Sequence, residues 1–541
     1  MSKPQLSTRL QLCLVALFGV VMIMLWTLPV MLAGYPYALP SMLKFTQAIV
    51  ETGEWLPTSA RLMPHLIRLL VPFIGWTDIS AWAMVSASAF ALALLPWWYT
   101  VRTLFNAKIA WFSTIVLALL PIYWVETLDL GGYTFALFFL FLGFASFVHF
   151  RATHRLLAVI LFGVCFGLTL ACKDAFVAFL PWLTLGYLLD RRANWKKGIG
   201  ELATGLACAY IMFALPLFPN AVKPDMSLTQ RVAVFLPALG SSTPGEGHLY
   251  PDPYIYEFHK AEYDTLLEEH VEEDSSFFGR QQDQHYRLIF GVGEFSVFDT
   301  IFNGVWLFLN TLPQLFVQEY VGGAFLWIFI LPGLVYLYRE RRKFFWNLIG
   351  LWLSMELFIR FVLHFGRTHL NDMGWELALL AGIGLALTSD AFVTHIRIRR
   401  HMLGAVILGF LVAMQLVQAN RKLLAFEYSR SIVPMSYAAA EVINPVSADA
   451  VIAHPRQDPL FFFTNHTGVS IHPDTIDFLT ERGALREPFE HYGVTHIIGY
   501  DKEYSERITK ELPNIQVLQL PGAPPKVPVN AFMKYLLHLV R

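Results

Sequence analysis

Charge is scarce in this chain. Only 15% of its 541 residues are Asp, Glu, Lys or Arg and 55% are hydrophobic, against roughly a quarter charged in an ordinary soluble domain. A mean hydropathy of +0.49 follows. The 41 acids and 40 strong bases nearly cancel, which excludes the one-signed field that draws a protein to nucleic acid. Cysteine is scarce too. Cys13, Cys165, Cys172 and Cys208 all lie in apolar segments and read as small buried residues, which excludes a disulfide framework and a thiolate metal site. A nucleotide-binding motif, an internal repeat, a low-complexity tract and the paired broken helices of many carriers are also missing. No small-x-small cleavage site follows the first apolar run, so that run is expected to stay as a membrane span.

What the chain has in abundance is apolar runs of membrane-crossing length. A span needs about 20 mainly apolar residues, and eleven segments qualify: 11–33, 78–100, 109–126, 132–150, 156–172, 175–189, 198–218, 320–338, 344–364, 374–394 and 402–420. Every second connection is basic: Lys3 and Arg9, then Arg102 and Lys108, Arg151 and Arg155, Arg191 through Lys197, Arg339 through Lys343, and Arg397 through Arg400. By the positive-inside rule that side is cytoplasmic. The N-terminus is then inside and the C-terminus outside, in a multi-pass protein of the cytoplasmic membrane.

One pair of charges interrupts this pattern. Lys173 and Asp174 sit within the apolar run 156–189. As a single helix that run would be about 50 Å long, against a hydrocarbon core of about 30 Å. Both flanking loops are basic. The run must therefore fold as two short spans with Lys173 and Asp174 at the outer turn. There they serve either as an interfacial turn with a snorkelling lysine or as a cation aimed at an anionic group.

The remaining polar mass is expected on the same outer face. Loop 34–77 carries Met42, Phe45, Ile49 and Val50 at the spacing of an interfacial amphipathic helix, and 65–75 reads as a second interfacial piece. Loop 219–319 is acidic at 262–274 and ends in an interfacial helix near 300–315. These loops and the spans make a membrane module over residues 1–420. Residues 421–541 alternate strand patterns (448–454, 460–465, 494–500, 515–520) with helix patterns (474–483, 505–512), as expected of a small soluble α/β domain.

Several stretches together resemble the GT-C glycosyltransferases, in particular the bacterial protein O-mannosyltransferase-like and aminoarabinose-transferase-like proteins. They are AIVETGEWLP in the first loop, HLIRLLVPFIGWTDISAWAMVSA leading into the second span, VRTLFNAKIAWFSTIVLALLPIY before the third, the GLTLACKDAFVAFLP hairpin, and HFGRTHLNDMGWELALLAGIGLAL. The resemblance covers about residues 10–420, and YGVTHIIGYD in the tail resembles the soluble outer domain that many such proteins append. It implies an α-helical polytopic GT-C-like fold of about eleven spans, and a sugar donor carried on a polyprenyl phosphate. The acceptor would be a lipid, glycan or protein outside the cytoplasm. One departure matters. The family usually places an acid just after the first span, where this chain reads Tyr35-Pro-Tyr-Ala-Leu-Pro40.

Such a transfer needs cations on the leaving phosphate and a carboxylate to take the acceptor's proton. Lys173 is the leading phosphate ligand, joined by Arg367 and His369 in the outer loop FGRTHLND. Arg360, which with His364 lies on the outer half of the ninth span, would either ligate phosphate or pair with Glu356 one turn away. Asp129 is the first candidate carboxylate, with Glu126 on the same turn second and Glu54 third. No metal-ligand spacing is defined; a divalent cation at the acidic stretch 262–274 is left open, with a solvated surface helix as the plainer reading. Two other functions fit the composition: a degenerate relative that binds lipid-linked glycans without turnover, which the missing acid favours, and a transporter.

Overall fold

The computed structural model describes residues 7–33, 62–76, 79–127, 132–215, 252–263, 297–311, 323–361, 373–396, 433–455 and 468–520, with isolated positions between them. Contacts divide the chain into two units: Met1–Met31, Phe45–Ser242 and Gly304–Ser429 in one, and Leu32–Lys44, Thr243–Asn303 and Arg430–Arg541 in the other.

The first unit is helical. Its elements are α1 (Thr8–Ala33), α2 (Met63–Ile74), α3 (Ile79–Leu104), α4 (Ala107–Leu119), α5 (Pro121–Glu126), α6 (Tyr133–Phe150), α7 (Arg155–Cys172), a 3₁₀ segment Asp174–Phe179, α8 (Leu180–Asp190) and α9 (Trp195–Ala214). A short helix α10 (Pro253–Phe258) belongs to the second unit. Next come α11 (Val297–Thr311), α12 (Gly323–Glu340), α13 (Arg342–Phe361) and α14 (Gly374–Ile396). Ten of the eleven expected spans coincide with described helices; the last, 402–420, falls largely outside the described residues. Four windows, in α1, α3, α6 and α7, are long and apolar enough to cross a membrane by length and composition alone. Large apolar side chains are left bare on the helix surfaces, among them Leu17, Met24, Ile328 and Phe410. In water that would be costly; against lipid tails it is the expected outer surface.

The expected hairpin forms. α7 rises roughly 27 Å at 1.5 Å per residue. The return leg covers about the same height with fewer residues because its first six are 3₁₀, with a rise of about 2 Å each. Arg155 and Asp190 close the base of the two legs at 2.5 Å. The other basic turns gather at this same end. Arg102 donates to Thr8 Oγ1 at 2.6 Å, Lys108 pairs with Asp390 at 2.7 Å, and the Arg341 guanidinium lies 5.6 Å from the Phe105 ring centre. The alternation of basic and nonbasic loops read from the sequence is thus a real segregation of ends.

At the opposite end, α2 occupies the place expected for an interfacial piece. The Leu62 N–H donates to the Ala171 carbonyl at 2.8 Å, so the end of the first loop is tied to the last turn of α7. The first half of that loop, including the amphipathic stretch 42–50, lies almost entirely outside the described residues.

The second unit holds a parallel sheet of four strands in the order β2-β1-β3-β4. The strands are β1 (Val451–His454), β2 (Gly468–Ser470), β3 (Val494–Ile498) and β4 (Gln516–Leu518). The helices are α15 (Val433–Ile443), α16 (Pro473–Glu481), α17 (Arg486–His491) and α18 (Lys502–Glu511). Ile471, Ile476, Leu485, Phe489, Ile497 and Ile508 form its core. The strand expected at 460–465 falls largely outside the described residues, and the strand that pairs with β1 lies just beyond it, at 468–470. Asp252, fully buried, caps α10 through the Ile255 N–H at 3.1 Å. It also accepts from the His472 N–H at 3.1 Å and from the Thr475 hydroxyl. The middle of the long acidic loop is thereby pinned onto the α/β domain.

Candidate active site

Lys173 sits at the apex of the α7–α8 hairpin. Its backbone is extended (φ −155°, ψ 107°), and its N–H caps α7 by donating to the Thr169 carbonyl at 2.8 Å. The side chain is half-buried, and its Nζ lies 4.7 Å from the Tyr133 ring centre. Among the described residues it forms no ion pair. An ammonium held over an aromatic face keeps its three donors for a ligand. Asp174, which opens the 3₁₀ segment, is buried.

Tyr133 begins α6, just after a tight turn. Gly132 takes φ +93°, a left-handed conformation that a side chain would oppose. The same turn carries Glu126, which is half-buried at the end of α5. Ser86 on α3 holds the two sides together: its hydroxyl reaches the Glu126 carbonyl at 3.4 Å and the Thr134 hydroxyl at 3.1 Å. The structure thus brings Lys173, Tyr133 and the Glu126 turn to one patch. Asp129, the first candidate carboxylate, and Glu54, Arg367 and His369 lie outside the described residues, and of Arg360 only the backbone, in the last turn of α13, is described.

A line of aromatic rings leads inward from the lysine. Tyr133 meets Phe176 edge-on at 6.4 Å, Phe176 meets Phe179 at 5.6 Å, and Phe179 meets Trp375 at 6.1 Å. Trp375 opens α14, and its backbone N–H donates to the Tyr123 hydroxyl at 2.8 Å. Gly374 permits this approach, because a Cβ there would stand 2.8 Å from the Tyr123 ring. On the other flank, the Ser354 hydroxyl bonds the Ala178 carbonyl, fixing α13 against the 3₁₀ segment. Glu356, two residues further on, is buried and engaged.

Next to Trp375 is a residue the sequence reading passed over. Glu376 is only 3% exposed, and among the described residues its Oε1 accepts no hydrogen bond. Carboxyl groups within membrane spans are rare and usually functional, and a buried acceptor without a partner is costly to maintain. The signal available in the sequence was an acid in the first turn of an apolar span, in GWELALL.

Among the described residues, no group of three His, Cys, Asp or Glu side chains is arranged to hold a metal. Most of the acidic stretch 262–274 lies outside the described residues; its first acid, Glu262, is occupied by His259 at 3.2 Å and Arg482 at 3.7 Å.

The chain shares its fold, the GT-C fold, with solved membrane-protein structures. ArnT from Cupriavidus metallidurans bound to undecaprenyl phosphate superposes with a TM-score of 0.54, covering 95% of this chain and 90% of that one at 12% identity. The apo oligosaccharyltransferase from Archaeoglobus fulgidus gives 0.52 over 93% of this chain and 68% of that one, also at 12% identity. The same archaeal protein tethered to an acceptor peptide gives 0.51 at 13% identity. No protein-family model matches the chain, and no curated protein matches it in sequence. The fold expected from the motifs is therefore present, in a sequence far from these neighbours.

Proposed function

We propose that the protein transfers a sugar from a polyprenyl-phosphate donor to an acceptor at the outer face of the cytoplasmic membrane. The observation that carries the reading is Lys173: an ammonium at the membrane end of a hairpin, poised on Tyr133 and free of any carboxylate partner among the described residues. The GT-C fold supports it, since ArnT, which shares that fold, holds undecaprenyl phosphate. The basic turns collected at one end of the helical unit support a cytoplasmic N-terminus under the positive-inside rule, and an α/β domain outside is part of the same reading.

In the reaction the acceptor hydroxyl attacks the anomeric carbon. The bond to the phosphate oxygen breaks, and its electron pair leaves with polyprenyl phosphate. Lys173, with Arg367, His369 and Arg360 as further candidates, balances the charge that grows there. A carboxylate takes the acceptor's proton. Asp129 is the first candidate, Glu126, whose turn adjoins Tyr133, the second and Glu54 the third, and Glu376, buried next to Trp375 in the chain, joins them.

The test is release of free polyprenyl phosphate by the protein in nanodiscs supplied with a panel of polyprenyl-phosphate sugars and acceptors. Release from one donor is the expected result. Tight donor binding without release from any acceptor would favour the non-catalytic lipid-glycan binder suggested by the acid-free stretch Tyr35–Pro40. Absence of both binding and release refutes the proposal.

A further inference from the structure

A cavity of about 640 Å³ opens at the basic end of the helical unit, between α6, α7, α8, α9 and α13. Its walls are mostly apolar, with Phe144, Phe162 and Leu206 among them, and its rim carries Arg151, Arg155, Asp190 and Asn347, a net positive charge of one. The charge at the rim is only partly compensated. Arg155 pairs with Asp190, yet its Nε is buried and makes no hydrogen bond among the described residues. Arg151 is exposed and forms no ion pair among the described residues.

The lining runs along α7 from Arg155 to Phe166, a rise of roughly 16 Å. One leaflet of the hydrocarbon core is about half of 30 Å. The cavity is therefore about as deep as one acyl chain is long. Lys173 stands at the other end of α7, roughly 26 Å from Arg155, so a phosphate held there cannot also touch this rim.

We infer that the cavity binds one glycerophospholipid of the cytoplasmic leaflet, with an acyl chain among Phe144, Phe162 and Leu206 and an anionic headgroup phosphate on Arg151 and Arg155. The arginine rim selects the charge, and the depth selects a single-leaflet lipid over the longer polyprenyl chain. The neighbouring Arg191, Arg192, Lys196 and Lys197 add attraction toward an anionic surface.

Native mass spectrometry of the intact chain tests this, with dioleoyl phosphatidylglycerol and dioleoyl phosphatidylcholine as probes. The expected result is one phosphatidylglycerol retained per chain and at least tenfold weaker retention of phosphatidylcholine. Arg151→Glu should reduce phosphatidylglycerol retention at least tenfold. Leu206→Trp, which fills the cavity and leaves the rim intact, should do the same. Equal retention of both lipids, or no effect of either variant, overturns the inference. Displacement of the lipid by glycerol phosphate would assign the rim to a soluble anion. Displacement by polyprenyl phosphate would assign the cavity to the donor. Either displacement overturns the inference and leaves the role of Lys173 untouched.

Discussion

The sharpest test of the outer site is Lys173→Met, which keeps an unbranched apolar stem over Tyr133 and removes only the ammonium. A hydrogen bond from an ammonium to a phosphate contributes about 1.5–3 kcal/mol in a partly desolvated site. At about 1.4 kcal/mol per tenfold change, the variant should bind polyprenyl phosphate on the order of 10–100-fold more weakly. Lys173→Arg should recover part of the loss, because a guanidinium can also ligate phosphate and stack on Tyr133. Tyr133→Leu should lie between, since a cation held over a ring contributes about 0.5–2 kcal/mol to placing the lysine. Affinity would be read by titrating polyprenyl phosphate into nanodiscs, with a melting curve for each variant to show that the hairpin still folds. An unchanged affinity for Lys173→Met in a protein that melts normally would refute the role of the lysine and with it the main support for a phosphate-linked donor.

Other expectations follow from the same geometry. Glu376→Gln preserves shape at a buried position without an Oε1 partner, so the melting temperature should hold while turnover falls about 100-fold or more if the carboxyl takes the acceptor's proton; unaltered turnover removes it from the mechanism. Glu201, 5% exposed, accepts from Tyr187 at 2.5 Å and from Arg191 at 2.8 and 3.0 Å. Glu201→Ala would strand a largely buried guanidinium, and thermal unfolding should show a loss of about 3–5 kcal/mol. His454 on β1 is buried, which lowers its pKa to about 4 from 6.5. Its folded form resists protonation, so the stability it contributes is complete above pH 6.5 and declines as pH falls toward 4, by up to roughly 3 kcal/mol. Pulse proteolysis of the α/β unit across that range should show the decline, and His454→Phe should flatten it.

The hairpin could be read in the sequence because two lengths conflicted: the run 156–189 was too long for one span, and both of its ends were basic. The same argument placed Lys173 at the apex, where the structure has it. The basic loops were legible because each carried its own charges. Glu376 was not, since an acid near the start of an apolar segment looks like an ordinary helix beginning, and only its burial in the folded chain shows it closed off from water. Nor could the sequence show that Ser86 joins the Glu126 turn to Thr134, a contact 48 residues apart along the chain. The edge strand at 468–470 escaped for a related reason: its three residues acquire strand geometry from pairing with β1, whereas the more apolar 460–463 carried the propensity.

The attachment made by Asp252 bears on how such a protein can be taken apart or recombined. Its carboxylate ties a segment from the middle of the chain to His472 and Thr475, more than 200 residues later. A cut near residue 430 would therefore not release a self-contained appendage. It would leave behind the 252–263 strap, with Tyr254, Ile255 and Tyr263 stripped of the Phe478 and Leu479 surface they pack on. A grafted C-terminal domain would have to bring its own strap or offer a matching pair of donors. Exchange of this domain between related chains is thus a two-segment event, in which the loop and the tail move together.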